Sequence, residues 1–317
     1  MSAFPLSFKK LFFTLLKIAI SFGAFYFIFK QVQDKNWQDI SIDWSDSSVY
    51  FTLIISFVLL VLNRFIEILK WHNLSQTLRN HSLWQSTKEV LVGITFGIVS
   101  PNGIGEYVGK TLFYEKKNAL QVILLNALCN GIQVVYALVF GIVGVLFINS
   151  HHAFIPANYI WYVLIAIVVT LVLLFSLKNI KIKGKSIGDF IVFLQSISRK
   201  KHVKNIVLAL VRYVVLMHQY CLWYTFFGVE ISYVSLLAVI ASIYLLSSSL
   251  PNFQIADFAL KGTVGMMLFS LFAVDELIVA IVATLIWLSN IVIPISVGAI
   301  VLLFTKFDRN NKLIDED

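Results

Sequence analysis

Apolar positions in this chain run in long unbroken stretches rather than alternating with polar ones. Stretches of spanning length occupy residues 8–30, 49–70, 119–148, 158–177, 204–227 and 276–304. A helix needs roughly 20 apolar residues to cross the hydrocarbon core, and each stretch supplies them. Two further runs, 84–114 and 232–269, are interrupted by proline, in SPNGIGEY at 100–107 and LPNFQIADF at 250–258. Proline lacks the backbone donor and clashes with the preceding turn, so each run divides into limbs of about 10–17 residues, too short to cross alone. The pattern predicts an all-α membrane bundle of about six full spans and two broken segments.

Charge separates the two ways of threading those segments. If both enter and turn back as re-entrant hairpins, with the N-terminus cytoplasmic, most of the 25 basic residues collect on one side. These are Lys9, Lys10, the 70–88 region, Lys116, Lys117, the 178–204 loop and the tail after 305. Asp34, Asp39, Asp43, Asp46, Glu230, Asp275 and Glu276 collect on the other. If both segments cross, the eight basic residues of 178–204 move outside while 149–157, with no lysine or arginine, moves in. That contradicts the positive-inside rule. Re-entrant hairpins are expected, with both termini cytoplasmic and the chain in the cell inner membrane. The first run reads as a retained span with Lys17 snorkelling or facing the bundle; it is long for a leader and no A-x-A-like site follows. Residues 187–197, IGDFIVFLQSI, read either as a short interfacial helix or as more connecting loop.

Composition agrees with a membrane protein. Hydrophobic residues make up 59% and charged residues 13%, with a mean hydropathy of +0.84; soluble domains carry about 45–50% and about 25%. No stretch remains for a soluble catalytic domain. The net charge of +8 sits in loops between apolar runs, which suits anionic lipid headgroups and not nucleic acid. Cys129 and Cys221 fall in apolar runs and imply no disulfide. Ser247, Ser248 and Ser249 have no positioned histidine, and no phosphate-binding glycine loop, CxxC or HExxH occurs. No enzyme, metal site or cofactor is expected.

The two interruptions resemble each other. Pro101-Asn102 and Pro251-Asn252 stand 150 residues apart, while Glu106 and Asp257, and Lys110 and Lys261, stand 151 apart. Each half, about 1–150 and 151–317, has the order span, span, hairpin, span. The hairpins enter from opposite sides, which predicts an inverted-topology repeat of the kind carriers use. Asn102 and Asn252 are suitable caps for helix N-termini at the midplane, and Gly105 beside Gly103 keeps the first tip irregular.

Charged residues inside spans are costly and point to function. Glu106 with Lys110, and Asp257 with Lys261, lie at i and i+4. They form either self-neutralising pairs or a polar cavity wall. Arg64 reads equally as a partner of Glu67 or as a phosphate ligand. Arg212 has no acid nearby in sequence, and reads as a ligand or as the partner of another helix. Their depths do not match as a strict inverted repeat requires. Asn126, Asn130 and Gln133 share one helix face and predict interhelical hydrogen bonds first, cavity lining second. His218 and Gln219 read as bundle contacts.

The segments GITFGIVSPNGIGEYVGKTLFY at 93–114 and SSSLPNFQIADFALKGTVGMMLF at 247–269 resemble the flippase-like membrane family. That family is related to the transmembrane part of bacterial lysylphosphatidylglycerol synthase/flippase, the multiple peptide resistance factor. The resemblance implies an inverted-repeat bundle that translocates phospholipid between leaflets. Pro101, Gly105, Glu106 and Arg64 fit it. Lys110 stands where many relatives carry arginine, and the Glu-Arg pair often seen in the next helix is absent around Cys129-Asn130. The larger relatives append an aminoacyl-transferase domain, so synthase activity is not expected here.

The expected function is therefore a lipid flippase for an anionic phospholipid or lipid-linked substrate. Arg64, Arg212, Lys110 and Lys261 would meet phosphate, and Glu106 and Asp257 an amine or a proton. Pro101, Asn102, Gly105 and Asn252 would shape the site. The alternatives are a carrier for a small soluble anion or amino acid, and a non-transporting subunit of an envelope-synthesis complex. The lipid is the expected partner, and a second copy of the chain is compatible with it.

Overall fold

The computed structural model describes residues 45–98, 100, 103–156, 187–248, 257–305 and 307. The expected spans at 8–30 and 158–177, and Pro101, Asn102, Pro251 and Asn252, lie outside the described residues.

Each regular element among the described residues is a helix. They are α1 Ser47–Ser75, α2 Leu83–Gly97, α3 Ile104–Thr111, α4 Ala119–His152 and α5 Ile187–Ser196. There follow α6 Arg199–Phe226, α7 Tyr233–Ser248, α8 Asp257–Phe269, α9 Glu276–Trp287 and α10 Ile293–Phe304. Four stretches are long and apolar enough to cross a membrane: α1, Lys116–His152, α6 and Glu276–Phe304. Asp46 caps α1, accepting from the Ser48 amide at 2.8 Å and from its hydroxyl at 2.6 Å. Those bonds favour the ionised carboxylate and lower its pKa.

Two sequence expectations change. The 49–70 span continues to Ser75, so Lys70 is not in a loop at all; it lies within α1 and is fully buried. The run 276–304 is not one regular helix, since a π turn at Leu288–Val292 joins α9 to α10. Pro294 supplies the reason. It has no N–H for the carbonyl four residues earlier, that of Asn290, and the helix widens where that bond is missing. Residues 187–196 do form a helix, α5, whose Phe193 and Leu194 pack beside the ends of α1 and α10.

α1 lies antiparallel to α6. Ser56 meets Trp223, Asn63 meets Arg212, and Asn73 meets the Lys201 carbonyl. α4 lies antiparallel to α7, with Gly141 against Ala241 and Leu245 and Gly144 against Ala238 and Ser242. α10 lies antiparallel to α2, with Gly298 against Leu91 and Thr95. Small residues at these crossings let backbones approach, the usual basis of helix packing in lipid, where no hydrophobic effect drives helices together. A Cβ on Gly144 would stand 2.5 Å from the Ala238 carbonyl oxygen, and one on Gly298 2.2 Å from that of Leu91.

Residues 83–114 leave and return at the same end of the bundle. Tyr114, just past α3, donates to Glu89 midway along α2 at 2.8 Å and lies under the Arg79 guanidinium before α2, and Trp71 of α1 donates to the same carboxylate at 2.6 Å. The described start and finish of the 232–269 run, at Tyr233 and Phe269–Phe272, lie together at the other end. Phe269 packs 4.4 Å from Tyr224, Tyr233 donates to His218, and Phe272 meets His152 at the end of α4.

The two ends carry opposite charge. Arg79, Lys88, Lys116, Lys117, Arg199, Lys200, Lys201 and Lys204 lie at the end where α1 finishes and α6 begins. Asp46, Glu230, Asp275 and Glu276 lie at the other, which holds no lysine or arginine among the described residues. One apolar cluster, around Trp71, Leu74, Phe113 and Leu125, sits toward the basic end. Another, around Tyr224, Val239, Phe269 and Val282, sits toward the acidic end. Polar residues occupy the space between them.

Candidate functional site

α1 carries Ser56, Asn63, Glu67 and Lys70 at spacings of seven, four and three, which place them along one side of the helix. That stripe faces α6 and the π turn. Glu67, 4% exposed, accepts from Arg64 within α1 and from Arg212 Nη2 of α6 at 3.2 Å. Arg212 Nε also donates to Asn63 Oδ1 at 2.8 Å. Asn63 donates to the Asn290 side chain at 2.7 Å, and Asn290 to Gln219 at 2.8 Å. Arg64 Nη2 donates at 2.6 Å to the Asn290 carbonyl, the group that Pro294 cannot serve. The π turn thus supplies a backbone acceptor where a regular helix would have none to spare.

The two acid–lysine pairs form as their spacing predicts. Lys110 Nζ lies 2.6 Å from Glu106 Oε1 and donates at 2.6 Å to Asn126 of α4, over the Trp71 ring at 4.4 Å. Lys261 Nζ lies 2.6 Å from Asp257 Oδ2 and 4.4 Å from the centre of the Tyr244 ring. The polar face of α4 meets one charged group per residue: Asn126 reaches Lys110, Asn130 reaches Glu106 at 3.5 Å, and Gln133 reaches Lys70 at 3.5 Å. Gln219 and His218 make bundle contacts, as expected.

These groups surround a cavity of about 300 Å³ in the middle of the bundle. Arg64, Glu67, Glu106, Arg212, Asp257 and Lys261 all line it, and they come from α1, α3, α6 and α8. Tyr213, Tyr220, Tyr244 and Asn290 complete the polar wall. Val134 of α4, 62% exposed among the described residues, lines it as well, so the cavity wall there is a single side chain deep.

Of the residues singled out from sequence, Arg64, Glu106, Arg212, Asp257 and Lys261 meet at this cavity. Lys110 stands behind Glu106 and does not line it. Gly105 is elsewhere too: a Cβ there would stand 2.0 Å from the Phe96 carbonyl oxygen, so glycine is required for α3 to lie against the end of α2. The amide of Gly105 is capped by Ser100 Oγ at 2.7 Å. Pro101, Asn102 and Asn252 fall outside the described residues. Sequence reasoning missed Lys70, Asn63, Asn290 and the three tyrosines. The α1 stripe could have revealed Lys70 and Asn63. Nothing local marks Asn290 except its distance of four from Pro294.

Comparison with known proteins adds no relative: no family model, curated protein or solved structure matches the chain. Its class comes from the chain itself, a helical protein with four helices among the described residues long and apolar enough to cross a membrane.

Proposed function

We propose that this chain is a membrane translocator that moves a lipid, or a lipid-linked substrate, with an anionic headgroup between leaflets. One observation supports the reading: a polar cavity lined by Arg64 and Arg212 lies between two apolar clusters and, among the described residues, has the exposed Val134 in its wall. A headgroup would occupy the cavity, with its phosphate on the guanidinium forks, while its acyl tails stayed in the bilayer. A thin wall at Val134, on the outer side of α4, favours a lipid over a soluble anion, which needs only an aqueous mouth.

An inverted-topology repeat is part of this proposal. The helix contacts support it because they are reciprocal. α1 and α6, second in each half, pack on each other; α4 of the first half packs on the first limb of 232–269, and α10 of the second on the first limb of 84–114. Re-entrant hairpins are supported by the return of each broken segment to the end it left. The basic end would face the cytoplasm of a bacterial inner membrane. Accessibility labelling of single cysteines in 76–82 and at 115–118 is expected to find both sets on the cytoplasmic side; opposite sides would refute the hairpin.

Transport is tested by leaflet-resolved headgroup labelling in proteoliposomes. Arg212→Ala combined with Glu106→Gln is expected to slow exchange of an anionic phospholipid at least about 100-fold, since both a buried phosphate ligand and a wall carboxylate are lost. Wild-type rates in the double variant would remove the mechanism. Uptake of a soluble anion without lipid exchange would establish the carrier alternative instead.

A further inference from the structure

Among the described residues the charges around the cavity do not balance. Glu106 and Asp257 are each matched by their own lysine at 2.6 Å. Glu67 alone serves both Arg64 and Arg212. Lys70, one turn further along α1, is fully buried, and its Nζ reaches the Gln133 amide oxygen at 3.5 Å with no carboxylate in salt-bridge range among the described residues. Arg64, Arg212 and Lys70 therefore carry three positive charges against the single negative charge of Glu67. Buried charge without a counter-charge is expensive in a membrane interior, and such residues persist when a ligand supplies the missing sign. Unmet donors lie in the same place. Arg64 Nε and the Tyr213 hydroxyl are buried without a hydrogen-bond partner among the described residues, Tyr213 is 4% exposed, and both residues line the cavity.

We propose that this cluster is matched to a dianionic headgroup, a phosphate monoester, in preference to a singly charged phosphodiester. The proposal rests on the translocator reading and names the substrate class of that site. A monoester carries close to two negative charges at neutral pH and three terminal oxygens. The two charges answer the two uncompensated cations; the oxygens can accept from the forks of Arg64 and Arg212 and from Tyr213. A diester brings one charge and two free oxygens, which leaves one cation unanswered. Lys70 acts from behind Gln133 through its charge, which a low-dielectric wall screens poorly, and not by contact.

The test is equilibrium binding and thermal unfolding of the purified full chain in detergent micelles. Three probes separate the sources of phosphate: phosphatidate as a lipid monoester, phosphatidylglycerol as a lipid diester, and inorganic phosphate. Phosphatidate is expected to bind on the order of tenfold more tightly than phosphatidylglycerol, with inorganic phosphate competing only weakly. Lys70→Met keeps the length and loses the charge. It is expected to bring the two lipids within about twofold, and its unfolding temperature separates a lost preference from a lost fold. Equal affinities in the wild type, or a preference that survives in folded Lys70→Met, would overturn the dianion assignment and leave an anionic-lipid translocator standing. Binding of inorganic phosphate with neither lipid, or of no probe, would overturn both.

Discussion

Glu67→Gln is expected to cost about 3–5 kcal/mol of stability, because it removes the one carboxylate that two buried guanidinium groups share. An exposed ion pair lost in the same way costs about 0–1 kcal/mol, so burial decides the size of the effect. Glu67 is 4% exposed and bonded from two helices, so its loss loosens α1 from α6 as well as leaving charge unpaired. Glutamine keeps the shape but offers one neutral acceptor to two cations. The measurement is the unfolding temperature and the monodisperse yield in detergent. Adding Arg212→Met to Glu67→Gln should restore part of the loss, since it removes one of the stranded charges; a double variant that loses the full sum would contradict the shared-carboxylate account. Asp257→Asn is the natural comparison. The side chains of Asp257 and Lys261 are 23% and 17% exposed, so a smaller loss is expected there. An unfolding temperature unchanged by Glu67→Gln would show that the network is not structural.

Gly298→Leu is expected to prevent stable assembly of the bundle, and Gly298→Ala to cost about 1–3 kcal/mol. A Cβ at 298 meets the Leu91 carbonyl oxygen at 2.2 Å and Thr95 Oγ1 at 2.4 Å. The first contact is backbone and cannot rotate away, so α10 must move off α2. That motion would carry the π turn and Asn290 with it, and so disturb the bond from Arg64. Gly131→Ala in α4 is the control, since a Cβ there meets nothing within 4 Å and no loss is expected. Thermal unfolding of the three variants in one detergent decides the matter. Equal stability of Gly298→Leu and wild type would disprove close packing between α2 and α10.

Much of this could be read without coordinates. Long apolar runs can only be helices in lipid, because each backbone group must find its partner within its own segment. Four of the expected spans are found as apolar helical stretches of spanning length among the described residues, and each of the other two runs divides into two short helices. The i, i+4 spacing of Glu106–Lys110 and Asp257–Lys261 makes their pairing a local event, and local events are what a sequence reports well. The face of Asn126, Asn130 and Gln133 was legible for the same reason.

The cavity was not. Arg212 has no acid within reach along its own helix, and only the antiparallel packing of α1 on α6 brings it to Glu67, 145 residues away. Asn290 enters the site because Pro294 frees its carbonyl, a local cause whose beneficiary, Arg64, lies 226 residues distant. Lys70 looked like the start of a basic loop because the sequence does not say where a helix frays; the packing of Trp71 and Leu74 in the core carries α1 on to Ser75. The sequence by itself determined which of the described segments are helical and which end is basic, since those follow from local backbone and solvation rules. Only the tertiary structure decided which charges share a partner and which are left without one, because that balance depends on helices far apart in the chain meeting across a few ångströms.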